Sequence, residues 1–433
     1  MNSSTGIAEE NNITGRFSGS GYVKIGLFGL AANALWQSLH IVIIPLRVLD
    51  YVAESQKNTY LGLLTFCGLF LAMIAQPIAG AVSDRYNASW GRRRPYILAG
   101  ALVALLLLPG FGLANGYISL LLIYCFFQVS MNTAYGPYQA FIPDIVPDDK
   151  KGMAAGIKGL MEMLGVVAFI YPVSMLMDRY FLDGRAIYLN GSLGILIAVL
   201  LVSTTLTLLL VREKVPVGKS EHTLLGTLLH TFKIDVKKHR SFLWFLLSRL
   251  LVFAAFTMLQ QFALNFLTDV TGVSNPAQAT AQFSIVGVIG ILVTIWPAGY
   301  VTDRIGRSPV TIGACFFGVV GVMVIFLSQN LATILVGSGF IGIAVGSFYS
   351  ANFALATDLA PKGEEGRYMG LVNIATAGGA TVARLIGPVI DALNSRWELW
   401  GYRAMLLCCI GYLIAGSLLI LKVRPDKETA EYR

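Results

Sequence analysis

Four charged side chains stand inside stretches of this chain that are otherwise apolar: Lys158, Glu162, Arg249 and Arg384, with His40 the only histidine outside residues 212–240. An ionisable group held in a medium of low polarity is costly, which makes each of them a functional candidate by default. Glu162 follows Lys158 by four residues, so both lie on one face of a helix. Such a carboxylate can carry a proton across a barrier with the ammonium as its counter-charge. Equally, the two can form a static pair in which the lysine stem reaches toward the nearer surface. His40 is a second proton-coupling candidate or a polar packing group. Arg384 can hold a solute or balance an acid such as Asp391. These alternatives stay open at the level of sequence.

The elements that must position these groups are membrane helices. Hydrophobic residues make up 55% of the 433 and charged residues 13%, with a mean hydropathy of +0.68; soluble domains are about 25% charged. Twelve apolar segments are predicted over 22–47, 58–83, 96–114, 117–143, 153–178, 188–211, 241–268, 278–301, 309–327, 331–357, 366–392 and 402–422, each close to the roughly 20 residues that span a bilayer. Glu162 then sits ten residues into the fifth span, about 15 Å along it at ~1.5 Å per residue, near the midplane. The widest gap, 212–240, divides the spans into an N-terminal six-helix bundle (22–211) and a C-terminal one (241–422). Within the gap Leu224, Leu225, Leu228, Leu229 and Phe232 recur at helical spacing ahead of Lys233, Lys237, Lys238 and Arg240, a pattern for an amphipathic helix on a lipid surface. Residues 1–21 are polar and read as a disordered cytoplasmic tail; 423–433 read as a second cytoplasmic tail. The five cysteines lie in apolar runs without metal-ligand or disulfide spacing. No cofactor and no metal is expected.

Lysine and arginine set the orientation. With both termini inside, 23 basic residues fall on the cytoplasmic side and six outside, so the expectation is a multi-pass protein of the inner or plasma membrane. The net charge of +8 is then topogenic, and nucleic acid is not an expected partner. Membrane lipid is.

Two loops repeat a signature. Gly80, Asp84 and Arg85 precede Gly91, Arg92, Arg93, Arg94 and Pro95, while Gly299, Asp303 and Arg304 precede Gly306 and Arg307; each set joins the second and third span of its half. Asp144, Pro147, Gly152 and Gly156 recur as Asp358, Pro361, Gly366 and Gly370, all 214 positions on. On these loops the chain resembles the major facilitator superfamily, which implies an all-α integral membrane fold of two six-helix bundles and transport by alternating access. The resemblance gives Asp84, Arg85, Arg92, Arg93, Asp144, Asp303, Arg304, Arg307 and Asp358 a gating role: they clamp the halves together while the outside is open and part on the inward swing. Ordinary helix capping and turn chemistry accounts for the same residue types.

Within that superfamily, the run from Ser83 to Ile97 and the stretch Asn132–Asp144 are similar to plant sucrose/proton symporters and the wider glycoside-pentoside-hexuronide group. That family carries an Asp eleven residues before an Arg in the fourth helix, where this chain has Gln128 and Gln139. A paired loss avoids stranding one buried charge, and it leaves two amides able to bond a polyol. In the superfamily helices 1, 4, 7 and 10 line the central cavity. Here they offer Asn33, Trp36, Gln37, Gln128, Asn132, Tyr135, Gln260, Gln261, Asn265, Tyr349 and Asn352, with Gln139 as a further amide. Neutral amides suit an uncharged, hydroxyl-rich solute. Interhelical hydrogen bonding explains any one of them alone.

No Walker loop, nucleophile elbow or His-Glu-x-x-His helix is present, so neither an enzyme nor an ATP-driven pump is expected. The reading is a monomeric secondary active transporter moving a small neutral sugar or glycoside, a disaccharide foremost, together with a proton. A proton-driven exporter of amphipathic molecules is the alternative. A non-transporting membrane sensor or scaffold is a third reading, of another class.

Overall fold

The computed structural model describes residues 19–84, 91–211, 213, 240–360 and 365–423. The expected surface helix in 212–240, nearly all of both tails, and Arg85 lie outside the described residues. Among the described residues, twelve helices are long and apolar enough to cross a bilayer. They are α1 (Gly19–Leu49), α2 (Glu54–Ser83), α3 (Arg94–Leu113), α4 (Tyr117–Ile145), α5 (Lys151–Asp183) and α6 (Ala186–Leu210), then α7 (Arg240–Gln261), α8 (Pro276–Ile305), α9 (Arg307–Leu327), α10 (Leu331–Leu359), α11 (Tyr368–Asn394) and α12 (Trp400–Ile420).

The expected segments match these helices, and the differences at the ends follow from local chemistry. α1 begins at Gly19, inside the stretch read as a tail. α5 runs past the expected residue 178 to Asp183, where Gly184 takes a left-handed conformation (φ +67°) that ends a helix at no steric cost. Several helices are interrupted: α3 at Leu108–Pro109, α4 at Ala140, and α1, α7 and α11 as follows. In α1 a π-helical turn, Ser38–Ile43, precedes Pro45; a proline removes a backbone donor and crowds the carbonyl four residues back, and a wider turn absorbs both. α7 ends at Gln261 and resumes as Ala263–Thr271. α11 tightens to a 3-10 turn at Arg384–Ile386, just before Pro388.

The helices form two bundles with one packing plan. In the first half α1 packs on α5 and α6, α2 on α4, and α3 on α4 and α6. Every one of these pairings recurs in the second half: α7 on α11 and α12, α8 on α10, and α9 on α10 and α12. Glycines permit the closest approaches. A Cβ on Gly290 would lie 2.8 Å from the Gly339 carbonyl oxygen, so α8 and α10 meet backbone to backbone. Between the halves, α5 meets α8 and α2 meets α11.

Candidate functional site

The end of the molecule bearing Asp84 and Arg307 is here the loop end, and the opposite end the far end. Between the two halves lies a cavity of about 430 Å³, within the roughly 300–1,000 Å³ usual for small-molecule sites. Its walls differ in character. The first half contributes Asn33, Gln37 and Glu162, with Gly159, Met163 and Val166. The second half contributes Phe253, Phe256, Phe283, Ile291, Val345 and Tyr349, relieved by Thr257, Gln260, Ser284 and Ser338. One face can bond hydroxyls and the other can cover an apolar face of a solute.

Among the described residues Glu162 is the only acid lining this cavity, and two groups meet its carboxylate. The Lys158 ammonium lies 2.8 Å from it, and the Tyr135 hydroxyl donates to it at 2.9 Å. Lys158 also stands over the rings of Tyr135 (5.5 Å) and Tyr138 (5.3 Å), a second favourable placement for its charge. Trp36 meets the Tyr135 ring edge-on at 4.7 Å. Gly29 of α1 makes room for this cluster: a Cβ there would stand 2.5 Å from the Tyr138 hydroxyl and 2.9 Å from the Glu162 carboxylate.

His40 lies on the π turn. Its Nε2 is 2.9 Å from both the Tyr124 hydroxyl and the Gln128 amide, and Gln128 donates to Tyr124 at 2.6 Å. The imidazole is thus held in a polar cluster between α1 and α4.

Of the amides singled out from sequence, Asn33 and Gln37 line the cavity, as do Gln260 and Tyr349. The others serve elsewhere. Gln128 is buried against His40, and its backbone carbonyl accepts from Asn132. Gln139, eleven residues after Gln128 on α4, is exposed just before the interruption at Ala140. Tyr135 touches the site through Glu162. Gln261 is buried at the break in α7. Asn265 donates to Asn58 across the halves at 2.9 Å, and Asn352 is fully buried, accepting from Arg249. Arg249 also donates to Thr376 at 2.8 Å. Arg384 donates to the Ala380 carbonyl, while Asp391 accepts from Asn58 and Thr59. The polar cavity residues missed by sequence reading, Thr257, Ser284 and Ser338, lie on α7, α8 and α10. Small-residue positions on α8 and α10, Gly287 and Gly342, are the sequence signal that these two helices approach closely.

Among the described residues the loop-end ion pairs are internal to each half. Arg92 reaches Asp144 at 2.8 Å and Asp84 at 3.8 Å. Arg93 reaches Asp84 at 2.5 Å, Asp144 at 3.0 Å and the Ser83 hydroxyl at 2.7 Å. Glu213 accepts from the backbone N–H groups of Arg92, Arg93 and Arg94 at 2.7, 2.9 and 3.0 Å, capping the start of α3. In the second half Arg307 meets Asp358 at 2.5 Å, Arg304 lies 4.4 Å over the Tyr300 ring, and Asp303 is exposed.

The far end carries the polar contacts between halves. Lys57 of α2 pairs at 2.6 Å with Asp269, beyond the break in α7. Tyr402 donates to Asp269 at 2.7 Å and accepts from Asn58 at 3.2 Å. Polar contacts thus join the halves at this end, and a cavity lies between them.

The family model described as MFS/sugar transport protein matches residues 25–390. This chain belongs to that family. It is a multi-pass membrane protein of a transporter family. Sucrose transport protein SUT1 of Oryza sativa subsp. japonica is 32% identical over 113 residues, 21% of this transporter and 21% of that protein. Solute carrier family 45 member 4 of Mus musculus is 32% identical over 121 residues, 24% of this transporter and 15% of that protein. The arabinose-proton symporter of Bacillus subtilis is 25% identical over 167 residues, 38% and 35% respectively. The transporter thus matches about a fifth of the length of several curated relatives. Solved structures agree on the major facilitator fold: the nucleoside transporter NupG (TM-score 0.73, 13% identity, covering 93% of this chain and 99% of that one) and a D-xylose-proton symporter (TM-score 0.67, 15% identity, 94% and 98%).

Proposed function

We propose that this transporter works by alternating access and moves a small neutral sugar or glycoside, a disaccharide foremost, together with a proton. The carrying observation is Glu162: a carboxylate in the cavity wall, balanced by Lys158 and Tyr135 and flanked by the neutral amides Asn33 and Gln37. Protonation of Glu162 removes the charge that pairs with Lys158 and weakens the bond that Tyr135 donates, so proton and solute act on the same wall. His40 is a second proton-coupling candidate on the same helix as Asn33 and Gln37. The loop-end charges are the gate, sorted into intra-half pairs in this arrangement and free to pair across the halves when the far end opens. Both termini then face the cytoplasm, where most lysine and arginine lie, and the carrier acts as a monomer in an inner or plasma membrane.

The apolar wall of Phe253, Phe256 and Phe283 supports a second reading, export of amphipathic molecules in exchange for protons. One experiment separates the two. Purified protein in liposomes holding a pH-sensitive dye is given a panel of mono- and disaccharides, beside Glu162→Gln. Internal acidification with one sugar, lost in the variant, is the expected result; no response in folded protein overturns the sugar-symport reading.

A further inference from the structure

Two helices at the far end begin without a side-chain cap of their own. Gln56 precedes the regular part of α2, Lys57–Ser83, and Asn275 precedes α8; neither side chain accepts from the first turn it introduces. The first N–H groups of a helix have no intrahelical partner and carry the positive end of its dipole. In both cases the missing acceptor comes from the opposite half. Asp178 of α5 takes the N–H of Ala277 at 2.8 Å and of Gln278 at 2.9 Å, the second and third residues of α8. Asp391 of α11 takes the N–H of Asn58 at 3.3 Å and of Thr59 at 2.6 Å, the second and third residues of that part of α2, together with the Asn58 side-chain amide at 2.9 Å.

The two carboxylates stand 213 positions apart, one short of the 214-residue register that relates the halves. Each is on the fifth helix of its own half and caps the second helix of the other. Both are buried, with 1% and 7% of their surface exposed. A capping residue within one helix stabilises that helix alone. One supplied across an interface stabilises the interface, because separation leaves two helix starts and two carboxylates unpaired at once.

We propose that Asp178 and Asp391 are reciprocal positioning residues of the transport cycle, holding the far end shut by capping each other's half. They touch neither solute nor coupling proton. Their role is to set the balance between the two access states, and the matched geometry makes both links break in the same movement. The inference rests on alternating access but on no particular cargo.

The test needs neither solute nor proton gradient, so its failure and a failure of the sugar-symport reading are distinguishable. Spin labels at Ser55 and Ser395, both exposed at the far end and on opposite halves, report its opening in a background lacking the five native cysteines. Asp178→Asn and Asp391→Asn each raise the long-distance population relative to the short one by roughly tenfold, as expected for weakening two hydrogen bonds to a charged acceptor. The double variant raises it roughly a hundredfold if the two sites act independently. Asp183→Asn, an exposed acid at the same end, changes nothing. Unchanged distances in folded variants, or an equal shift in the Asp183 control, overturn the proposal. Should the variants not fold, hydrogen exchange on the unsubstituted protein decides: peptides covering 57–60 and 276–279 are expected to exchange at one common rate, and unrelated rates overturn the proposal.

Discussion

The Tyr135 hydroxyl of α4 donates to the Glu162 carboxylate of α5 at 2.9 Å, while Lys158 holds the same carboxylate from one turn away on α5. A proton arriving at Glu162 therefore alters the contact between two helices as well as the charge of the cavity wall.

Replacing Glu162 with Gln keeps the size of the side chain and removes its titration. Uphill uptake driven by a pH gradient is expected to fall at least tenfold, while exchange of labelled for unlabelled solute persists. Radiolabel uptake and counterflow in liposomes measure the two. Loss of both together would make Glu162 a binding residue and not a coupling one.

Gly29 is the position where α1 yields to the Tyr138 and Glu162 side chains. Gly29→Ala forces a methyl to within 2.5 Å of one and 2.9 Å of the other, and overpacking of this kind costs about 1–3 kcal/mol. A lower Tm in detergent is the expected outcome, whereas Gly156→Ala, with nothing within 4 Å of its Cβ, leaves Tm unchanged or slightly higher.

Lys57 is 5% exposed and pairs with Asp269 across the halves. Removing one member of a buried pair strands the other, while removing both costs less. Asp269→Leu alone is thus expected to lower Tm more than Lys57→Met with Asp269→Leu together, a comparison made by thermal unfolding of the four proteins of the cycle.

At the loop end, Arg93 is nearly buried and bonds Asp84, Asp144 and Ser83, whereas Arg304 is exposed over Tyr300. Arg93→Ala is expected to reduce both folded yield and transport rate severely, and Arg304→Ala to cost little stability. A double-mutant cycle of Arg93 with Asp144 measures the coupling, which should be absent between Arg93 and Asp358 of the other half in this arrangement.

The chain's local chemistry determined a good deal by itself. Length of apolar runs gave the twelve helices, because a bilayer imposes one minimum length on every span. The paired Asp and Arg loops and the 214-residue recurrences marked two related halves, and Glu162 with Lys158 was legible because charge is rare in such segments and spacing by four fixes a shared face. Tertiary structure alone decided which amides meet the cavity. Lipid is as apolar as a helix interface, so a membrane helix has no strong polar side to orient it; Gln37 and Gln128 look alike in sequence, yet one lines the cavity and the other is buried against His40. The caps from Asp178 and Asp391 were equally hidden. An aspartate near the end of an apolar run reads as a boundary, and only the docking of one half on the other shows whose helix it completes.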